Sequence, residues 1–280
     1  MLFFAQGQKV TVAVYEKGPK IVVQGKGTEE FVQFILEPEI LGEARLGNEE
    51  AYEPEMFEPH FGIDESGKGD FFGPLVIAGC YVNPEIARSF MDSGIMDSKR
   101  IGSDLAIRTL TKIIRSTPGA AYKVIVLTPL KYNEMYGSFG NLNRMLAWGH
   151  AAVIGDLQAA VPECPRALSD QFANPKLIRD ALKKRKVEIQ LDARTKAESD
   201  IAVAAASILA REAFIGWMER TGREMKITVP RGSSDPRVKQ TARALIAEHG
   251  PEILFQVAKT HFKTAHEVAP GHYKLPGHLL

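Results

Sequence analysis

The chain has almost no net charge, few cysteines and no apolar run long enough to cross a membrane. Its 35 Lys and Arg against 34 Asp and Glu give +1 at pH 7, and 45% of its 280 residues are hydrophobic. A disordered chain would be less apolar or more highly charged. Two cysteines exclude a disulfide-stapled small domain. Neither Cys80 nor Cys164 has a second Cys or a His at ligand spacing, so each reads as a plain thiol. Without a stretch of about 18 apolar residues no membrane span is expected. The opening Met1-Leu2-Phe3-Phe4-Ala5 lacks the basic region and the length of a secretory signal. The expectation is a soluble, cytoplasmic protein of one large domain, or one large and one small.

Charge is unevenly distributed. Residues 1–59 carry five basic side chains (Lys9, Lys17, Lys20, Lys26, Arg45) against eleven Glu, a net of −6, which leaves +7 for residues 60–280. Eight of those Glu lie in residues 37–58, opposed only by Arg45 and interrupted by Pro38 and Pro54. Residues 37–59 therefore read as an acidic linker, with a solvated helix at 43–50 as the other reading. Before the linker, residues 1–36 read as a small module: period-two alternation at 9–15, a turn, a second strand at 21–25 and a helix starting at Thr28. After it, residues 60–280 interleave strands at 61–64, 75–82, 123–127 and 186–191 with helices at 104–116, 142–159, 176–184, 198–221 and 236–249. That alternation implies an α/β domain, a sheet flanked by helices.

The strongest chemical signal is Gly62-Ile63-Asp64-Glu65-Ser66-Gly67-Lys68-Gly69-Asp70-Phe71-Phe72-Gly73-Pro74. Neighbouring carboxylates on a strand point to opposite faces, so Asp64 and Glu65 share a site only where the chain bends. Gly67, Gly69 and Gly73 supply bends and leave backbone N–H groups open to a phosphate or a ribose hydroxyl. The plain alternative is a solvated turn between strands. Asp170 follows Arg166-Ala167-Leu168-Ser169, which reads as a strand end. Glu198 opens a helix whose run Ala202-Val203-Ala204-Ala205-Ala206 lets it lie close against a sheet. Alone, Asp170 would be a turn residue and Glu198 a first-turn acid favoured by the helix dipole. Four carboxylates converging on one pocket repel unless a cation neutralises them. Oxygen ligands without Cys or His suit Mg²⁺ or Mn²⁺, and two such ions about 4 Å apart can promote phosphodiester hydrolysis.

These motifs, in this order, carry a resemblance. Asp64-Glu65 with its Gly-rich turn, Asp97-Ser98-Lys99, Asp170-Gln171-Phe172 and Lys196-Ala197-Glu198-Ser199 with the Ala-rich helix are similar to the type 2 ribonucleases H. Three features match ribonuclease HIII more closely than HII: Gly-Asp-Phe-Phe-Gly-Pro at 69–74, Glu198 as the fourth acid, and the extra strand-rich N-terminal module. Val229-Pro230-Arg231-Gly232-Ser233-Ser234 and the segment 253–263 also resemble HIII. The resemblance implies a ribonuclease H-like mixed sheet flanked by helices. It also implies an N-terminal substrate-binding module similar to half of a TATA-binding-protein fold. The implied activity is metal-dependent cutting of the RNA strand of an RNA/DNA hybrid, leaving 3′-hydroxyl and 5′-phosphate ends. Two departures stand out: Lys68 occupies the position between the glycines where HIII often has Thr, and the N-terminal module is shorter than usual.

On that footing Asp64 is expected to bridge two ions, with Glu65 and Asp170 holding one each and Glu198 completing the shell. The turn Ser66-Gly67-Lys68-Gly69 is expected to read the 2′-hydroxyl, the group that separates RNA from DNA. Lys99 and Lys196 are candidate phosphate contacts or plain surface lysines, and Arg231, Ser233 and Ser234 are weaker candidates. Asn141 reads as a helix N-cap. The seven His receive no catalytic role, and Asp70 and Asp200 no place among the ligands. A monomer that binds hybrid and no membrane is expected. The other readings are an HII-like enzyme that incises at single ribonucleotides, and a non-catalytic hybrid-binding protein.

Overall fold

The computed structural model describes residues 2–7, 9–16, 20–42, 53–195 and 197–273. The alternative helix at 43–50 and Lys196 lie outside the described residues. Contacts divide the chain into two units, Met1–Glu55 and Met56–Leu280.

The first unit is an antiparallel three-stranded sheet, β1 (Phe3–Gln6), β2 (Thr11–Tyr15) and β3 (Lys20–Gln24), in the order β1-β2-β3. A short helix, α1 (Thr28–Phe31), continues as a π-wound segment, Val32–Leu41. Helical backbone thus enters the stretch read as linker from residue 37. Pro38 signalled a break, but the winding passes it and stops at Gly42, whose φ of 70° is the left-handed terminator glycine favours. Among the described residues only Ala13 and Leu36 are buried apolar side chains of this unit.

The second unit is built on a five-stranded sheet in the order β6-β5-β4-β7-β8. Its strands are β4 (His60–Ser66), β5 (Leu75–Val82), β6 (Tyr122–Leu127), β7 (Arg166–Asp170) and β8 (Gln190–Arg194). β4, β5 and β6 pair antiparallel, while β7 joins β4 and β8 joins β7 in parallel. The helices are α2 (Pro84–Asp92), α3 (Asp104–Ser116), α4 (Pro129–Phe139), α5 (Leu142–Ala160), α6 (Lys176–Lys184), α7 (Ile201–Glu224), α8 (Pro236–His249), α9 (Ile253–Val257) and α10 (Lys263–Val268). The core begins at Met56 and Phe57, both buried, so the end of the presumed linker belongs to this unit.

Two glycines show how the layers close. A Cβ on Gly62 would lie 2.2 Å from the Ala202 and Val203 backbone, so β4 and α7 touch main chain to main chain on one face. On the other face a Cβ on Gly79 would meet Val153 and Leu157 of α5 at 2.6 and 2.8 Å. The Ala-rich start of α7 is what permits the first approach. By length and composition α7 could cross a membrane, yet 72% of its most apolar window is buried within the fold. Its apolarity serves the core.

β1, α2, α4, α9 and α10 stand outside the expected elements, and two expected elements lie elsewhere in the chain. The strand read at 186–191 is β8 (Gln190–Arg194), in register with β7 from Arg166↔Gln190 to Asp170↔Arg194. Lys186 sits at φ 58° in the turn after α6, so its alternating pattern precedes the strand. The helix read from Glu198 starts at Ile201. Glu198 occupies a single 3₁₀ turn, Ala197–Ser199, and Asp200 is the N-cap, its carboxylate accepting from Ala202 and Val203 N–H at 2.9 and 3.2 Å.

Candidate active site

Strand register puts Asp64 beside Asp170. β4 and β7 run parallel with Ile63 opposite Ser169, so the next residue on each strand is one of these acids. Side chains at matched positions of parallel neighbours leave the same face. That face is the one on which Gly62 meets α7. The Asp170 carboxylate accepts from Ala197 N–H at 3.3 Å, which holds the turn carrying Glu198 against the end of β7.

Glu65 turns to the α5 face. Its Oε2 lies 3.2 Å from Nε2 of buried His150, whose Nδ1 is 3.0 Å from Ser169 Oγ. The Ser169 hydroxyl in turn donates to Asp170 O at 3.0 Å. Lys68 Nζ reaches Glu65 Oε1 at 3.3 Å and stands 5.4 Å from the centre of the Phe172 ring. Burial would raise the Glu65 pKa, but the His150 hydrogen bond and charge, together with Lys68, hold it below the ordinary value. Asp64 behaves oppositely. Burial first and the Glu65 charge second push its pKa well above the carboxylate range, and Asp170 adds to the rise. Lys99 and the N–H of Glu65, which donates to Asp64 Oδ1 at 2.8 Å, act against it.

The tight cluster of four carboxylates is not formed. Among the described residues no three Asp, Glu, His or Cys side chains stand close enough to hold one ion. Like charges at close range repel, and three of the acids have protein donors: Glu65 has His150 and Lys68, Asp64 a backbone amide and Asp170 the Ala197 N–H. Among the described residues no hydrogen bond or ion pair ties the Glu198 carboxylate to the other three. The donors still suit Mg²⁺ or Mn²⁺, being carboxylate oxygens on adjoining backbone, and Asp64 is the anion with most to gain from a cation.

The Gly-rich turn is fixed at one point and open at another. Gly67 has φ 85°, and a Cβ there would lie 2.2 Å from Pro74 O and 2.9 Å from the Phe214 ring. Gly69 is exposed, with nothing within 4 Å of where its Cβ would be. Ser66 ends β4 opposite Val76. Beyond the turn, the Asp70 carboxylate accepts from Gly232 N–H at 2.6 Å, and buried Lys259 donates to Asp70 O and Gly73 O at 2.9 and 2.7 Å.

The remaining candidates fall into place differently. Asp97 accepts from Lys99 N–H, Ser98 N–H donates to Ser207 Oγ of α7, and Arg211 holds the Ser98 and Ile101 carbonyls. Lys99 is thereby pinned near Asp64 with its side chain exposed. Arg231 is not a free cation: it forks onto Asp104, which is 127 residues away in sequence but adjacent in space. Ser233 sits partly buried on the same loop.

Sequence reasoning passed over two histidines and two acids. His150 supports Glu65 from behind. Buried His60 pairs with Asp200 at 2.9 Å, tying the start of β4 to the cap of α7. The only signal for either was a titratable residue inside an apolar run. Asp70 works as the clamp on the Gly232 loop.

The sequence profile of the ribonuclease HII family matches residues 61–265. A ribonuclease HIII of Chlamydia felis (strain Fe/C-56) is 45% identical over 269 residues, covering 95% of this chain and 87% of the relative. One of Chlamydia pneumoniae is 43% identical over 272 residues, covering 96% and 88%. Among solved structures, Bst-RNase HIII in complex with Mn²⁺ aligns at a TM-score of 0.71 with 28% identity, over 96% of this chain and 89% of that one. Aquifex aeolicus RNase H3 aligns at 0.59 with 26% identity, over 92% and 87%. A profile spanning most of the second unit and relatives this similar over most of their length show the family: the chain belongs to the ribonuclease HIII family and is a ribonuclease H.

Proposed function

We propose that this enzyme hydrolyses the RNA strand of RNA/DNA hybrids in a divalent-metal-dependent reaction that leaves 3′-hydroxyl and 5′-phosphate ends. The observation that carries the reading is the register that sets Asp64 beside Asp170, with Glu65 adjoining and Asp64 destabilised as an anion. Asp64, Glu65, Asp170 and Glu198 would hold Mg²⁺ or Mn²⁺, which would supply charge neutralisation at the scissile phosphate. His150 orients Glu65, and the Ala197 amide orients Asp170, so both carboxylates present a fixed oxygen to the site. The exposed backbone at Gly69, beside the packed Gly67, reads the 2′-hydroxyl at close range, with Ser66 and Lys68 flanking it. Lys99 faces a phosphate near Asp64.

Asp64→Asn and Asp170→Asn test the assignment. Each is expected to lower cleavage of a continuous hybrid by about 10³-fold, the loss of ~4 kcal/mol of transition-state stabilisation, with the circular dichroism spectrum unchanged. Full activity in either variant would overturn the site. Chelation by EDTA is expected to stop cleavage, and added Mg²⁺ or Mn²⁺ to restore it.

A further inference from the structure

The +7 of residues 60–280 is concentrated in one place. Residues 176–186 hold six cations (Lys176, Arg179, Lys183, Lys184, Arg185, Lys186) and one acid, Asp180, a net of +5 in eleven residues. All six cations are exposed. Elsewhere in this unit, surface cations commonly have acid partners: Arg108 with Glu219, Arg115 with Glu212, Lys123 with Asp156, Lys239 with Glu267. On α6 the one pair among the described residues is Lys176 with Asp180 at 2.6 Å. Among the described residues, Arg179, Lys183, Lys184, Arg185 and Lys186 have no ion partner.

Helix stability does not account for this. Cations near a C-terminus are favoured by the dipole, which covers Lys183 and Lys184, but Lys176 and Arg179 sit in the first turns, the unfavourable end. The first turn holds no acid, and Pro175 offers no side-chain cap. Arg179 and Lys183, four apart, repel each other along the helix. Such crowding is tolerable in solvent and gains free energy only when an anion lines the helix.

Position favours a particular anion. α6 starts six residues after Asp170, and the intervening Phe172 ring packs against His150 at 4.9 Å and lies under Lys68. Lys176, Arg179 and Lys183 then follow one exposed stripe, about 10 Å long at 1.5 Å per residue. Next to it, a cleft of about 640 Å³ between α4, α5 and α6 adds Arg144 of α5 and is lined by Trp148, Lys184 and Arg185. We propose that this face of α6 is a second nucleic-acid surface that binds the phosphate backbone of the hybrid away from the cleaved bond. The proposal rests on the hybrid-cleaving function and deepens it: the duplex is held over more length than the carboxylates alone require.

The test compares a hybrid of about 30 base pairs with one of about 8 in the wild type and in a variant carrying Arg179→Gln, Lys183→Gln, Lys184→Gln and Arg185→Gln. The wild type is expected to show a KM about tenfold lower for the long hybrid, and the variant to lose that preference. The slope of log KM against log salt on the long hybrid is expected to fall by about 3 to 4, since each phosphate contact contributes roughly 0.9. Lys183→Glu with Lys184→Glu, a two-site reversal at exposed positions, is expected to give the same loss, and a cooperative thermal melt checks both variants for folding. Wild-type-like preference and slope in the folded variants would overturn the proposal while leaving the hybrid-cleaving function intact. A wild type that cuts neither duplex would overturn that function, and this surface with it. An unchanged hybrid slope with lost binding to poly-glutamate would also overturn it, by assigning the helix to an acidic protein.

Discussion

At the scale of single residues the candidate site depends on groups behind its carboxylates. His150 fixes one oxygen of Glu65 and is itself fixed by Ser169. A carboxylate released from such a support keeps its charge and loses its aim, which typically weakens a metal site 10- to 100-fold. His150→Ala is therefore expected to raise the Mn²⁺ concentration needed for half-maximal activity by ~10-fold or more, read by titrating Mn²⁺ against cleavage rate. Lys259 makes a different case. Burial pulls its pKa from 10.5 down to about 7, with Asp70 acting against the drop. Between about pH 7 and 10.5 the unfolded chain keeps a proton the folded chain has released, so stability from this group rises with pH, by up to ~1.4 kcal/mol per unit. Below about pH 7 both states are protonated and the slope vanishes. Urea unfolding at pH 7.5 and 9 is expected to show that rise in the wild type and a smaller one in Lys259→Met. The Asp64-Glu65 pair and its glycines were legible in the sequence because their spacing is local. His150 was not, because its partner is 85 residues away and its own neighbours are an ordinary buried helix.

Among the elements, the contact of β4 with α7 decides the most. The Ala-rich run announced a helix able to pack closely, and Gly62 is where it does so. Gly62→Ala places a methyl 2.2 Å from backbone that cannot rotate away, so the helix must move off the sheet. A loss of about 3 kcal/mol in unfolding free energy is expected, with a lower Tm, and hybrid cleavage should fall as well because Asp64 lies two residues further along the same face. The start of α7 is set by Asp200, which caps the helix and pairs with His60 at once. The apolar, Ala-rich pattern places the helix start at Glu198; the cap lies two residues later, at Asp200, and Glu198 sits in the 3₁₀ turn before it. β8 was displaced for a similar reason. Alternation from 186 onward looks like a strand, but only the residues that find partners on β7 form one, and pairing is invisible in a single chain segment.

For the molecule as a whole, the two units differ in what sustains them. Among the described residues the second has a core of its own that runs from Met56 to Tyr273. Residues 56–280 alone are therefore expected to unfold cooperatively and to retain cleavage of hybrid, with KM raised by the loss of the first unit; equal KM in the full chain and the truncated one would remove the substrate-binding role expected of the module at residues 1–36. An HIII-like enzyme is further expected to leave a duplex with one embedded ribonucleotide essentially uncut while degrading a continuous hybrid, assayed side by side in Mg²⁺ and Mn²⁺. The sequence by itself determined the class of the fold, the candidate carboxylates and the Gly-rich turn, since periodicity, composition and short motifs act within a few residues of chain. Tertiary structure decided which face each acid leaves and which donors hold them apart. Those outcomes depend on strand register and helix packing between segments from about twenty to more than a hundred residues apart, where burial and Coulomb repulsion are settled only once the chain has closed on itself.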